Sequence, residues 1–132
     1  MENEMNDNGY NRERRKQNRL ERLGTNTPRC IISAESDPVA LERHHPGGRR
    51  YTDETIVLNL VYHRKAEELR KEHTAEIPGP HSELECEGRL LLGIADILSL
   101  FKRIPQELIE LIRRVGIRLI DLGRRSAATT ER

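Results

Sequence analysis

Tryptophan is absent from the 132 residues, phenylalanine occurs once and tyrosine three times. Aromatic rings supply much of the buried area of ordinary cores, so a large core is excluded. Hydrophobic residues, at 35%, barely outnumber charged ones, at 34%. That balance predicts one small domain, or a small module with an appendage, and a chain solvated over part of its length. Cysteine is scarce too. Cys30 and Cys86 lie in segments of unlike character, with neither a disulfide framework nor a partner at metal-binding spacing. With no apolar targeting region between Met1 and Asn11, they point to a reducing, cytoplasmic setting. Long hydrophobic runs are missing as well: Leu90 to Phe101 is interrupted by Asp96 and too short to cross a bilayer as a helix, so no membrane partner is expected. The formal net charge of +1 shows no excess of either sign and leaves the question of an anionic partner to local patches.

One such patch is clear. Between Arg12 and Arg29 stand seven basic residues (Arg12, Arg14, Arg15, Lys16, Arg19, Arg22 and Arg29) against Glu13 and Glu21. They ride on strong helix formers from Asn11 to Leu23, with Gly24 as a C-cap. Two readings stay open there, a solvated helical face and a phosphate-contacting helix. Ahead of it, residues 1–11 lack periodicity and read as a disordered lead-in.

After the turn-rich Gly24 to Pro28 the pattern changes. Ala40 to His45 alternates like a strand, Pro46-Gly47-Gly48 breaks it, Thr55 to Leu58 is a second β-prone run, and His63 to His73 reads as a short helix. Residues 12–76 thus form a module, 77–82 (with Ile77-Pro78-Gly79-Pro80) a linker, 83–123 a C-terminal helical hairpin and 124–132 a polar tail. In the hairpin Leu84, Leu91, Ile94, Leu98 and Phe101 keep a helical rhythm to about Arg103. Leu108, Leu111, Ile112, Val115, Leu119 and Leu122 form a second stripe from Pro105 to Leu122, with Gly123 placed to stop it. Stripes of this kind usually bury into a core. The middle module is too small to bury both, which leaves a helical hairpin, a homodimer or a partner-protein interface.

Three histidines carry the chemistry. His44 and His45 end a strand at a Pro-Gly-Gly break, and His63 opens a helix eighteen residues later. A bend at Pro46 allows one imidazole of the pair onto a metal while its neighbour faces substrate, and a helix packed across the hairpin delivers His63 to the same ion. Two imidazoles leave open positions for water and a phosphate oxygen, which suits phosphodiester hydrolysis. A third imidazole with a pKa near working pH can deprotonate the attacking water. Arg43, Arg49, Arg50 and Arg64 flank these histidines and match phosphate geometry as a group.

The run from Pro28 to Pro38, then Leu41-Glu42-Arg43-His44-His45-Pro46-Gly47-Gly48-Arg49, then Thr55 to His63, resembles an HNH-family endonuclease over about 45 of the 132 residues. The resemblance implies an α+β chain: a small ββα-metal module with an N-terminal basic helix and a C-terminal amphipathic helical hairpin. It implies His44 and His63 as metal ligands, with Glu67, one turn after His63, as a further ligand or else a partner of Arg70 or Lys71. His45 is implied as the general base. Thr55 stands in for the asparagine that pins the family's loop, through a hydroxyl able to bond backbone. Of the four cysteines that hold structural zinc in many members, only Cys30 remains; the other positions read Ser33, Asn59 and Tyr62. One thiolate cannot build a tetrahedral zinc site, so no structural zinc is expected, and Tyr62, Leu60, Ile32 and the C-terminal helices are expected to fill the vacated space around a buried Cys30. The function implied is metal-dependent cleavage of DNA with little sequence specificity, using Mg²⁺ or a first-row divalent ion. The alternative is an inactive HNH-derived module kept for DNA or protein contact.

Overall fold

Strong helix formers from Arg12 to Leu23 belong to one helix, α1 (Glu2–Leu23), which also takes in the Asn- and Gly-containing stretch ahead of them. The computed structural model describes residues 2–130, with side chains for residues 9–128; Met1, Glu131 and Arg132, at the outer ends of the expected lead-in and tail, lie outside the described residues. α1 starts well ahead of Asn11, so most of the stretch read as a disordered lead-in continues the basic helix. Once a helical nucleus exists, each further residue adds a hydrogen bond at small entropic cost, and a polar composition does not by itself stop propagation. Gly24 ends it as expected, at φ +75, with its N–H donating to the Leu20 carbonyl at 2.9 Å.

Asp37 caps a short 3₁₀ turn (Pro38–Ala40) that feeds β1 (Leu41–His44). β1 pairs antiparallel with β2 (Ile56–Asn59), with Leu41 opposite Asn59 and His44 opposite Ile56. α2 (Leu60–Arg70) follows β2 without a loop because Asn59 serves as N-cap, its Oδ1 accepting from the Tyr62 N–H at 2.9 Å. The helix therefore starts three residues before His63 instead of at it. Among the described residues the chain is a small α+β protein of four helices and a two-stranded antiparallel sheet.

Cys30, Ser33, Asn59 and Tyr62 converge at one corner. Asn59 Nδ2 donates to Ser33 Oγ at 3.2 Å, and the Ser33 N–H donates to Cys30 Sγ at 3.4 Å. Burial pushes the Cys30 thiol up, but hydrogen bonds from Ser33 and from the Asn59 and Ile32 amides outweigh it and hold the pKa below the usual value. Around this corner Leu23, Cys30, Leu41, Leu58, Ala66 and Ile97 form the core, with Ile32, Tyr62, Leu100 and Phe101 packed against it. Leu60 does not fill this space as expected: it opens α2 on the outer side and is exposed.

Further buried residues come from α3 (Glu83–Ser99) with Leu92 and Ala95, from α4 (Gln106–Thr130) with Ile109 and Ile120, and from Leu20 and Tyr51; α3 is capped by Ser82 and lies between the hairpin and α4. Toward the hairpin, Gly93 sits where a Cβ would overlap the Pro46 carbonyl. On the same side, Arg89 donates to the Thr74 and Ala75 carbonyls and His73 pairs with Asp96 at 3.0 Å. The segment read as a linker is also tied down, since Ile77 N–H donates to the Tyr51 hydroxyl at 3.1 Å and His81 stacks on Tyr51.

Two expectations for α4 are corrected. Gly123 does not stop the helix, which runs on to Thr130 and takes in most of the presumed tail. Gly123 instead lets α4 close on Ser82 and Glu85, and Gly88 and Gly116 meet the same way further along. The face α4 buries is therefore Ile109, Gly116, Ile120 and Gly123. Of the Leu/Ile stripe, Leu108, Leu111, Val115 and Leu122 are left exposed. Backbones approach most closely where side chains are smallest, so the glycine-bearing face takes the contact. No helix is long and apolar enough to cross a membrane among the described residues.

Candidate metal centre

β1 ends at His44, and the turn that follows is tightly held. Gly48 has φ +85 and donates to the His45 carbonyl at 3.0 Å, while Gly47 leaves room for Thr52 and for the α3 backbone at Leu90. This bend sends consecutive side chains different ways: His44 inward, 2% exposed, and His45 to the wall of a cleft. α2, lying across the hairpin, presents His63 and Glu67 one turn apart.

The three groups meet. Ligand atoms of His44, His63 and Glu67 all lie within 4.8 Å of one another. Glu67 Oε1 is 3.3 Å from His44 Nδ1 and 4.0 Å from His63 Nε2, and the two rings stand edge to face with centroids 5.2 Å apart. His44 Nδ1 is buried and makes no hydrogen bond. Burial pushes the His44 pKa down to about 4 against the opposing pull of Glu67, and the charges of His63, Arg70 and His45 add to the lowering. The ring is thus neutral at ordinary pH, with its nitrogen facing a carboxylate it does not bond. Burial pushes the Glu67 carboxyl up, but hydrogen bonds and charge from Arg70, helped by His44 and His63, bring it below the usual range, so it is ionised. Arg70 holds only Oε2, at 2.8 Å, which leaves Oε1 toward the imidazoles. Two imidazoles and a carboxylate around an atom that lacks a partner are a donor set for a divalent cation.

Two contributors were missed from the sequence. Glu42 bonds His63 Nδ1 and so turns Nε2 toward His44 and Glu67, a carboxylate–imidazole arrangement that fixes ring and tautomer. Strand alternation was the available signal, since Glu42 and His44 share a face of β1. Arg70, bridging Glu67 and Glu76, was considered only as an ion-pair partner and proves to set which Glu67 oxygen is presented.

The cleft over this cluster has a volume of about 490 Å³ and is lined by Arg43, His45, Arg49, Arg50, His63, Glu67 and Arg70, among others. His45 is half-buried; burial first, then Arg49 and Arg43, hold its pKa below the usual imidazole value. A second groove runs from Arg43, His45 and Arg49 to Arg19 and Arg22 on α1. A third continues along Arg12, Arg15 and Arg19. Of the four arginines flanking the histidines, Arg43, Arg49 and Arg50 line the cleft, and Arg64 does not but lies on the exposed side of α2. Thr55 bonds no backbone: its Oγ1 accepts from Arg43 Nε at 3.1 Å and steadies that guanidinium across the hairpin.

Compared with family models, with curated proteins and with solved structures, the chain matches none.

Proposed function

We propose that this chain is a metal-dependent endonuclease of the HNH type, hydrolysing DNA phosphodiester bonds with little sequence specificity. The observation that carries the reading is the unpartnered, buried Nδ1 of His44, which meets His63 and Glu67 at the base of an arginine-lined cleft whose wall is His45. His44, His63 and Glu67 would hold the ion. A divalent cation bound there supplies positive charge to the scissile phosphate and its leaving oxygen.

The chain's own residues do the rest. Arg43, Arg49 and Arg50 grip phosphate oxygens without reading bases. His45, neutral at working pH because its pKa is lowered, accepts a proton from water. The oxygen of that water bonds to phosphorus, the bond from phosphorus to the leaving sugar oxygen breaks, that oxygen takes a proton from solvent, and the products are a phosphate end and a hydroxyl end. Glu42 takes no proton; it positions His63. The basic face of α1 extends the phosphate track away from the cleft.

A supercoiled-plasmid nicking assay in Mg²⁺ or Mn²⁺, with and without chelator, tests the reading. Nicking is expected from the parent chain and is abolished by chelator. His45→Ala is expected to lose about 10²- to 10⁴-fold of the rate while still binding Mn²⁺ by calorimetry; His44→Ala and His63→Ala should lose both. A parent chain that binds the ion and plasmid but never nicks it would make this a binding module and end the enzymatic reading.

A further inference from the structure

α3 lies between two layers. Gly93, Arg89 and Asp96 face the hairpin, while Gly88 and Leu92 face α4. The third side of the α3–α4 pair is apolar and bare: Leu84 and Ile94 of α3 and Leu108, Leu111, Val115 and Leu122 of α4 are each 37% to 49% exposed. The glycine contacts set the register of the pair, with Gly88 on Gly116 and Gly123 against Ser82 and Glu85. That register puts Leu84 level with Leu122, Leu91 with Val115, and Leu98 with Leu108, so the face consists of successive rows of apolar residues drawn from both helices. Contiguous exposed patches of this kind mark association surfaces on soluble chains.

We infer that a second copy of this chain covers that face, forming a two-fold four-helix bundle in which α3 of one protomer lies over α4 of the other. Three features select this occupant. A two-fold axis along the bundle keeps every row at its own level, so Leu84 meets the partner's Leu122, Leu91 the partner's Val115, and Leu98 the partner's Leu108. The charges beside the rows have opposite signs: exposed Glu87 stands among Leu84, Leu91 and Ile94 on α3, with Glu83 beyond it, and exposed Arg114 and Arg118 stand beside Leu111, Val115 and Leu122 on α4. In this arrangement Glu87 stands level with the partner's Arg118, an acid against a base. Neighbouring helices also all run antiparallel, as bundle packing and helix dipoles favour. A face two helices wide and about 25 Å long is of the order of the ~800 Å² that each partner buries in a stable complex. The metal cluster lies beyond the opposite side of α3, so both clefts stay open in the dimer.

Sedimentation equilibrium of the full chain tests this. The expected mass is twice the 15.3 kDa of the chain. Leu108→Glu with Leu111→Glu, at exposed positions outside the core, should give a monomer with unchanged far-ultraviolet circular dichroism. Glu87→Arg should weaken self-association about tenfold, and adding Arg118→Glu should restore it, because the swapped pair attracts again. A parent chain that remains monomeric up to about 100 µM, a dimer indifferent to the leucine substitutions, or a charge reversal that the second substitution fails to rescue would each overturn the proposal.

Discussion

His44 shows at the scale of one residue how a site conflicts with stability. Its ring is enclosed, its Nδ1 makes no hydrogen bond, and its proton affinity is depressed by burial to a pKa of about 4. An unpaired buried polar atom costs about 1–3 kcal/mol, a cost that a cation in the proposed site would relieve by supplying the missing partner. Without metal, pH exposes the conflict. The unfolded chain protonates this histidine near 6.5 and the folded chain only near about 4, so between those values the unfolded state holds more protons. Unfolding free energy is therefore insensitive to His44 above about pH 6.5. It falls as pH drops through the window, by up to ~1.4 kcal/mol per unit and roughly 3 kcal/mol in all. His45, also lowered, adds in the same direction. Urea unfolding of chelator-treated protein should show this decline, and His44→Gln should flatten it; a parent profile already flat through the window would contradict the burial argument.

At the scale of elements, α3 matters most, although it contributes no residue to the cluster. It supplies Ile97 to the core, the residues just after it, Leu100 and Phe101, pack against that core, and it presses on the turn after His45 through Gly93. A methyl group at Gly93 meets the Pro46 carbonyl, which is backbone and cannot swing aside. Gly93→Ala should therefore destabilise the protein by about 1–3 kcal/mol and lower nicking and Mn²⁺ affinity, by displacing the turn that aims His44 and His45. Gly9→Ala, with open space around it, is the control and should leave all three measurements unharmed. Equal tolerance of both substitutions in thermal melts and calorimetry would show that α3 is not seated on the turn.

At the scale of the whole molecule, charge is sorted in space far more than along the chain. A net charge of +1 conceals a basic track from Arg12 and Arg15 through Arg19 and Arg22 to Arg43 and Arg49 at the cleft. DNA binding should weaken steeply with salt. Arg12→Ala and Arg22→Ala should each reduce the slope of log affinity against log salt by about 1. Arg64→Ala, away from the cleft, should leave it unchanged. Titrations of labelled duplex at several salt concentrations measure these slopes, and an Arg64 effect equal to that of Arg22 would redraw the track.

At this same scale, what could be read from the chain was local. The Pro-Gly-Gly break, the two β-prone runs, the helix after them and the glycine cap of α1 follow from short-range rules of φ/ψ preference and periodicity, and all appear in the structure. His44, His45, His63 and Glu67 were legible through the resemblance, because a strand end and a helix start constrain where neighbouring side chains point. Glu42 and Arg70 were not, since their roles depend on which ring or carboxylate stands opposite after packing. The start of α1 and the end of α4 also escaped, because local propagation carries a polar helix on past the residues that make tertiary contacts, and Gly123 alone reads the same as a terminator or as a point of close approach. The two Leu/Ile stripes were visible as stripes, yet which face each helix buries was settled by the smaller glycine-bearing face that allows the backbones to close. Periodicity marks apolar surface; only the packed arrangement decides which part of it is covered.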